Sequence, residues 1–325
     1  MTRLLPAPGL LARRVGTPRP ATKKGRPPRQ PRRMPVPPRA PVLLTQRERV
    51  VRGSLLVVAA LLLSFVLNVT VVGHVRHLVA QQNLANEFRT QLADGTAPVG
   101  EGDVDAVLLA EGAPVAELSI PSIGVREIIV EGTDSGTLRA GPGHRRDTVL
   151  PGQAGVSVIM ARAAAYGGPF SRLQELAPGD RFGIVTGQGQ QFFEVIGLRY
   201  AGDPAPPALT AGESRVILTT ARGLPYSPTG VARVDARPLG EAKPSGARLT
   251  NFVTLPSADR ELMGDTSTAW ALVFALQFLL LVEVAAVWCY QRIGPRQTWI
   301  VFAPIAFLAG LVTSDQVIRL LPNLL

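Results

Sequence analysis

The chain has 325 residues and a formal net charge of +10, and 46% of its residues are hydrophobic. A mean hydropathy of +0.20 together with an isoelectric point near 10.8 excludes a single soluble enzyme domain and predicts that charged and apolar residues are segregated along the chain. Residues 1–52 contain 14 Lys or Arg, 11 Pro and one acidic residue, Glu48. The basic excess therefore belongs to one end of the chain.

The N-terminal segment, residues 1–52, is dominated by Pro and Arg, as in the run Arg26–Arg33. Such a composition cannot bury an apolar core, so the segment is predicted to be a disordered tail. A polybasic tail indicates either nucleic acid or an anionic membrane, and the apolar run that follows favours the membrane. We expect a cytoplasmic tail that acts as a positive-inside signal, with no nucleic-acid partner.

Three apolar segments are long enough to cross a membrane, since roughly 20 helical residues span roughly 30 Å of hydrocarbon. They predict transmembrane helices at residues 53–74, 267–290 and 298–318. The first is expected to be an uncleaved anchor, because it is too long for a signal peptide and no small-residue cleavage site follows it. With the basic link 291–297 also cytoplasmic, we expect a multi-pass plasma-membrane protein with its N-terminus inside and the region between the first two spans outside.

Four residues in or beside these spans have side chains that are unusual there. Glu283, near the middle of the second span, is either a functional partner or proton site or a carboxyl hydrogen-bonded to a neighbouring helix, and the sequence leaves both open. Asp315 and Arg319, one helical turn apart, are predicted to form an ion pair. Cys289, the sole cysteine, is predicted to be a packing residue.

The sequence between the first two spans has a pattern typical of a β domain. Residues 75–112 are predicted to continue the helix and then form a linker, and residues 241–266 to form a second linker. Within residues 113–240, short β-rich runs alternate with Gly and Pro at the spacing of a closed or sandwiched sheet. The runs are 116–120, 125–130, 157–160, 181–186, 191–196, 215–220 and 231–235.

The β region also contains an ordered set of motifs, Ile120–Val125, Glu131–His144, Gly167–Phe170, Leu173–Leu176 and Pro178–Asp180. In this order and spacing, over residues 113–239, the set resembles the sortase domain of Gram-positive bacteria, particularly its actinobacterial versions. The resemblance implies a mainly β fold, an eight-stranded β-barrel outside the membrane, beside the three transmembrane helices. It also implies the family chemistry, in which a thioacyl intermediate joins proteins bearing a sorting signal to cell-wall peptide or pilin amines.

The residues that would carry this chemistry are replaced. By the resemblance, the family's catalytic Cys position holds Ala221 and its catalytic His position holds Arg162. Its Arg position holds Val231 or, after a register shift, Arg233. A methyl group cannot attack a carbonyl, and a guanidinium does not release its proton near neutral pH. We therefore expect no catalytic residues and predict that the protein is not an enzyme.

The sequence gives little support for another nucleophile or for a metal site, but it leaves a candidate ligand-binding groove. Thr219 and Thr220 flank the replaced position, but a Thr nucleophile needs an adjacent base, which this stretch lacks. No spacing of metal ligands is present, so neither a metal nor another cofactor is predicted. A candidate ligand groove remains, in which paired guanidinium hydrogen bonds would hold a carboxylate or phosphate, unless these arginines are solvated surface charges. Its residues are Arg162, Thr220, Arg222 and Arg233.

Three functions follow as hypotheses. The preferred one is a membrane-anchored sortase-like pseudoenzyme that binds or assembles an active sortase, a sorting-signal protein or another envelope protein. The second is an active sortase-type transpeptidase or hydrolase with an unrecognised nucleophile or a site completed by a partner chain. The third is a membrane scaffold that recognises another membrane protein through Glu283 and the two C-terminal helices.

Overall fold

The computed structural model describes residues 45–103, 105–246 and 255–325. Most of the predicted tail, residues 1–44, and part of the second predicted linker, residues 247–254, lie outside the described residues. The chain divides into two units, Met1–Arg49 and Val50–Leu325. The second unit contains the β domain and the apolar helices that position the candidate site.

Long apolar helices flank the β domain. Their bounds are α1 Gln46–Leu67, a π-helical turn Asn68–Val72, α2 Gly73–Asp94, α3 Ala269–Arg292 and α4 Pro295–Leu320. Short 3-10 turns occur at Pro121–Ile123, Thr137–Arg139, Leu173–Glu175 and Ser257–Asp259. In the described part of the chain, three helical stretches are long and apolar enough to cross a membrane: Val51–Asp94, Ala269–Arg292 and Arg296–Leu320. The prediction of three such helices is confirmed.

Within the described residues, eight β-strands close into one barrel, and the predicted fold class is confirmed. The strands are β1 Pro114–Ile120, β2 Val125–Glu131, β3 Gly143–His144, β4 Gly155–Met160, β5 Arg181–Thr186, β6 Gly189–Tyr200, β7 Ser214–Leu224 and β8 Ser227–Pro238. Around the barrel their order is β1-β2-β3-β4-β7-β8-β6-β5, and β5 returns to β1. The pairs β2–β3 and β4–β7 are parallel, and the other neighbours are antiparallel.

Side chains alternate between the interior of the barrel and its outer surface, as the period of two in a β-strand requires. On β7, Val216 and Leu218 belong to the interior cluster, whereas Ala221 belongs to a separate apolar cluster. On β4, Ile159 is in the interior cluster and Met160 in the separate one. The strands therefore present a second apolar surface, outside the barrel core, and the candidate site lies on it.

Helix α2 is attached to the barrel by polar side chains. The Gln81 amide nitrogen donates to the carbonyl oxygens of Ile128 at 3.1 Å and Ala140 at 2.8 Å, and its oxygen accepts from the Ile128 N–H at 2.6 Å. The His77 Nε2 lies 3.0 Å from Glu127 Oε1. Gln81 thus pairs backbone groups of Ile128, in β2, and of Ala140, in the loop that follows, and together with His77 it holds α2 against the barrel.

The C-terminal end of α4 also contacts the barrel. Asp315 accepts hydrogen bonds from Arg76 of α2 at 3.0 Å and from Arg139, in the loop after β2, at 2.7 Å. The predicted pair between Asp315 and Arg319 is wrong, because Asp315 is bound by these two other arginines. The end of α4 is thereby held against both α2 and the barrel.

Helices α1 and α4 pack closely against each other. A Cβ added to Gly310 would lie 3.3 Å from Ser64 Oγ, so only a small residue permits this approach. Asn68, in the π-helical turn, is completely buried, and its side-chain nitrogen lies 3.5 Å from the carbonyl oxygen of Leu311. The first and third apolar helices are therefore in direct contact.

Candidate functional site

The candidate site lies on the surface of β4, β7 and β8 that faces away from the barrel core. Parallel pairing sets Met160 of β4 opposite Thr219 of β7, and the Ala161 N–H donates to the Thr219 carbonyl at 3.0 Å. Antiparallel pairing sets Ala221 opposite Val231 of β8. We call this apolar surface the site face, and its residues are Leu138, Val158, Met160, Ala221 and Val231.

Ala221 and Arg162, the two positions that the resemblance assigns to catalysis, are close to each other on this surface. Arg162 follows the end of β4 by two residues. Because Met160 pairs with Thr219 and the Ala161 N–H also bonds to Thr219, Arg162 is level with Ala221 of the adjoining strand β7. Ala221 is 7% exposed and packs within the site face. The fold thus brings these two positions together, and the groups present there are a methyl and a guanidinium.

Arg162 is the largest of the fully buried side chains in the described residues, with 1% of its surface exposed. Its guanidinium donates to the Ser135 carbonyl at 2.7 Å, to Ser135 Oγ at 3.0 Å and to the Leu325 carbonyl at 3.4 Å. Its Cζ lies 5.2 Å from the centroid of the Tyr166 ring. Burial lowers the pKa of Arg162 to about 10, so the side chain is still protonated at neutral pH. Arg162 is therefore a structural cation held by backbone and ring contacts.

The other residues of the predicted ligand groove have separate environments. Thr220 is completely buried and its hydroxyl donates to the Ala161 carbonyl at 2.9 Å. Arg222 is exposed and stacks on Tyr200, with its Cζ 4.1 Å from the ring centroid. Arg233 forms an ion pair with Glu261. The structure therefore commits each arginine to a different partner.

Val231 and Arg233 were alternatives for the family's Arg position, and both lie beside the site face. Val231 is opposite Ala221 and packs within the face, whereas Arg233 is opposite Thr219. The Arg233 side chain is 24% exposed and its charge is balanced by Glu261. Arg233 is therefore the residue that places a cation at this end of β8. This cation is already paired with the carboxylate of Glu261.

Two segments from outside the barrel cover the site face, and no sequence pattern predicted a contact of either segment with it. One is the segment after α4, Leu321–Leu325, which we call the strap; its Leu324 is completely buried in the apolar cluster of the site face. The other is the described end of the second linker, whose Leu262 packs on the same cluster. The Asn323 side chain of the strap joins the two by donating to the Arg260 carbonyl at 3.0 Å. The face is therefore closed by the chain itself.

His144, the only histidine within the barrel strands, has both ring nitrogens occupied. Its Nδ1 lies 2.8 Å from Glu131 Oε2, and its Nε2 lies 2.9 Å from the Val149 carbonyl. Burial by itself lowers the pKa of His144, but the charge of Glu131 and the hydrogen bonds to Glu131 and Val149 outweigh it, so the pKa is raised. His144 is fixed in place by these bonds.

The remaining predicted residues lie on the helices. Glu283, on α3, is half-exposed, and in the part of the chain that the structure describes it has no hydrogen-bond or ion-pair partner. Cys289, also on α3, is half-buried and has a free thiol. Among the described residues, no group of three His, Cys, Asp or Glu side chains could hold a metal ion.

The burial of Arg162 predicts a stability effect that a surface arginine does not share. Arg162→Ala should lower the free energy of unfolding of the barrel by about 3 kcal/mol, because Ser135 loses its buried donor and a cavity remains. Arg222→Ala, which removes an exposed arginine stacked on Tyr200, should cost less than about 1 kcal/mol. Thermal unfolding of the full chain in detergent micelles measures the loss of unfolding free energy in both variants. Equal losses would contradict the conclusion that Arg162 is a buried structural cation.

The raised pKa of His144 predicts how stability depends on pH. Protonated His144 stabilises the folded state fully below pH 6.5, the ordinary pKa of histidine, and this contribution is lost as the pH rises through the higher folded-state pKa. Unfolding followed from about pH 6 to about pH 9 should therefore show a decline that is absent in His144→Gln. His74→Gln, which changes an exposed histidine, is the matched control and should keep the decline; a decline unchanged in His144→Gln would contradict the prediction.

The chain is similar to proteins of known family over the barrel. Residues 118–227 match the family model of the sortase domain. Sortase D of Bacillus subtilis (strain 168) is 31% identical over 117 residues, which are 35% of this chain and 57% of that protein. The chain therefore spans little more than half the length of this relative.

Two solved structures are similar to the chain with low TM-scores. A Clostridium perfringens Sortase D5 transpeptidase is 19% identical, with a TM-score of 0.42. The match covers 50% of this chain and 99% of the Clostridium chain. Sortase C-1 from Actinomyces oris is 24% identical, with a TM-score of 0.36. The match covers 48% of this chain and 99% of the Actinomyces chain. The match of residues 118–227 lies within the eight-stranded closed barrel, so the barrel of this chain is similar to the sortase domain.

Proposed function

We propose that the protein is a membrane-anchored sortase-like pseudoenzyme that acts as a binding or assembly partner at the cell envelope and lacks thiol transpeptidase activity. One observation carries the proposal: the two adjoining positions on the site face hold Ala221 and Arg162. The only cysteine of the chain, Cys289, belongs to α3 and not to the barrel.

The chemistry of a thioacyl transfer supports this proposal. Such a reaction needs a sulfur that attacks the peptide carbonyl and a group with a pKa near neutral that protonates the departing amine. Ala221 offers a methyl group, and Arg162, with a pKa of about 10, keeps its proton at neutral pH. Two guanidinium nitrogens of Arg162 are bonded to Ser135 and Leu325, and the third, Nε, is buried without a partner among the described residues, so the side chain is not exposed to a substrate.

An alternative nucleophile on β7 finds little support. The Thr220 hydroxyl donates to a backbone carbonyl and is completely buried, and Thr219 is also completely buried. Neither forms a hydrogen bond to a histidine in the described residues, so no general base is placed beside either hydroxyl. The active-enzyme hypothesis would need a base from a partner chain.

The proposed setting is the plasma membrane of a Gram-positive cell, crossed by the three apolar helices. The basic tail and the basic link between α3 and α4 then lie in the cytoplasm, in accord with the positive-inside rule. The barrel and the strap lie outside, where family members meet proteins bearing a sorting signal. The proposed partner is an active sortase, a sorting-signal protein or another envelope protein.

A second candidate function, a membrane scaffold, is favoured by one observation. Glu283 is half-exposed on an otherwise apolar face and has no partner among the described residues. A carboxyl within a membrane is costly unless it is protonated or paired, so another membrane protein could supply the pairing group. In this case the helices, and not the site face, would make the functional contact.

The proposal predicts that the full chain does not turn over sorting-signal peptides. Incubated in detergent micelles with a fluorogenic sorting-signal peptide and an amine acceptor, it should give no cleavage above the peptide alone and no mass adduct. A sortase with its catalytic cysteine is the positive control. Turnover that Thr220→Val abolishes would contradict the proposal and support the active enzyme.

Cross-linking to a partner protein distinguishes the proposed function of the site face from the membrane-scaffold function. If the site face makes the contact, an active sortase or sorting-signal protein cross-linked in membranes should be lost on Val231→Asp and kept on Glu283→Ala. Val231→Asp places a carboxylate on the apolar site face, which disfavours an apolar partner there. The reverse pattern would favour the scaffold.

A further inference from the structure

The strap, Leu321–Leu325, is bound to the site face as an extended peptide would be. The Ala163 N–H donates to the Leu324 carbonyl at 2.9 Å, and the Ala165 N–H donates to the Leu325 carbonyl at 3.3 Å. The Asn323 N–H donates to the Met263 carbonyl at 2.9 Å. Main-chain hydrogen bonds on both sides of one short segment are the feature by which binding sites hold an extended peptide.

Side chains add specificity to these main-chain contacts. Leu324 is completely buried and packs with Ala221 and Val231 of the site face. Asn323 is completely buried, and its side-chain nitrogen donates to the carbonyls of Thr133 at 2.7 Å and Arg260 at 3.0 Å. An apolar side chain next to an amide therefore fills one pocket on the face and satisfies the backbone acceptors around it.

The strap also completes the environment of Arg162. One guanidinium nitrogen of Arg162 lies 3.4 Å from the Leu325 carbonyl, and the other donates to Ser135. A buried cation is strongly destabilised when an acceptor is withdrawn, so any segment that replaces the strap must return a carbonyl to Arg162. This requirement restricts the replacement to another peptide backbone or an equivalent acceptor.

Helix α4 determines where the strap begins. The Asp265 N–H donates to the Arg319 carbonyl at 2.9 Å, and a Cβ on Gly264 would lie 2.2 Å from the Leu320 carbonyl. The strap thus starts from a fixed point beside the site face. Because a short tether gives a high effective concentration, a tethered segment outcompetes free peptides of equal intrinsic affinity.

From these contacts we infer that the site face is a peptide-binding site whose resident ligand is the strap itself, and that an external peptide binds only by displacing the strap. The external ligand has the chemistry of the strap: an extended segment with an asparagine or similar amide followed by an aliphatic residue. This inference rests on the proposed binding function and adds its regulation, since the strap keeps the site closed until a partner exchanges with it.

The test measures access to the site face by thiol labelling in the full chain. In a Cys289→Ser background, which removes the native thiol, Ala221→Cys introduces a reporter beneath the strap. Ser227→Cys introduces a reporter at an exposed position of β8 and is the reference for free access. A small maleimide reacts with either thiol only when the thiol is accessible. The reporter at position 221 should react at least about tenfold more slowly than the reference, because reaction requires local opening of the strap.

Weakening the strap should open the face. Asn323→Ala removes the side-chain donor to Thr133 and Arg260 and should speed labelling of the Ala221→Cys reporter by about tenfold. Asn83→Ala, which changes an exposed asparagine on α2, is the matched control and should leave the rate unchanged. Adding the acetylated peptide Leu-Pro-Asn-Leu-Leu to the Asn323→Ala variant should restore protection, and Leu-Pro-Ala-Leu-Leu should not.

Three outcomes would overturn the inference. The first is labelling of the Ala221→Cys reporter as fast as the Ser227→Cys reference with the native strap. The second is an Asn323→Ala rate equal to that of Asn83→Ala, and the third is no protection by the added peptide. If Ala221→Cys does not fold, Val231→Cys reports on the same face. Turnover of sorting-signal peptides would defeat the proposed function whatever the labelling rates, so the two failures are distinguishable.

Discussion

The hydrogen bonding of one buried cation, Arg162, organises the candidate site. A guanidinium removed from water must be paired with acceptors, and here they come from Ser135, in the loop after β2, and from Leu325, in the strap. These groups are distant in sequence, so the cation draws together the end of β4, a barrel loop and the segment after α4. The guanidinium supplies fixed hydrogen-bond donors at the point where these three segments meet.

The site is built by the long helices as much as by the barrel. The Tyr166 ring lies over Arg162, and a Cβ on Gly73 of α2 would approach that ring to 3.1 Å. Helix α4 is held by Asp315 and then delivers the strap to the site face. Displacement of these helices would therefore alter the contacts around Arg162. The barrel alone contains the site face but neither the strap nor the helix contacts of Tyr166.

The parts of the structure that depend on local sequence patterns could be predicted, and the parts that depend on distant partners could not. Long, largely apolar runs indicated the three long helices, and short β-rich runs with ordered motifs indicated the barrel. The partners of the arginines were not predictable: Glu261 is 28 residues from Arg233, and Leu325 is 163 residues from Arg162. Arg162 was therefore placed in an open groove, although it is buried. The strap has only five residues, too few to show a period, and its burial comes entirely from tertiary contacts.

Amide hydrogen exchange of the unmodified protein tests most directly whether the chain closes its own site face. The account predicts that the amides of Ala163 and Asn323, which are bonded to Leu324 and Met263, exchange as slowly as amides within β4. If these two amides exchanged as fast as that of Gly202, in an exposed turn after β6, the strap would not occupy the face and the account would be contradicted.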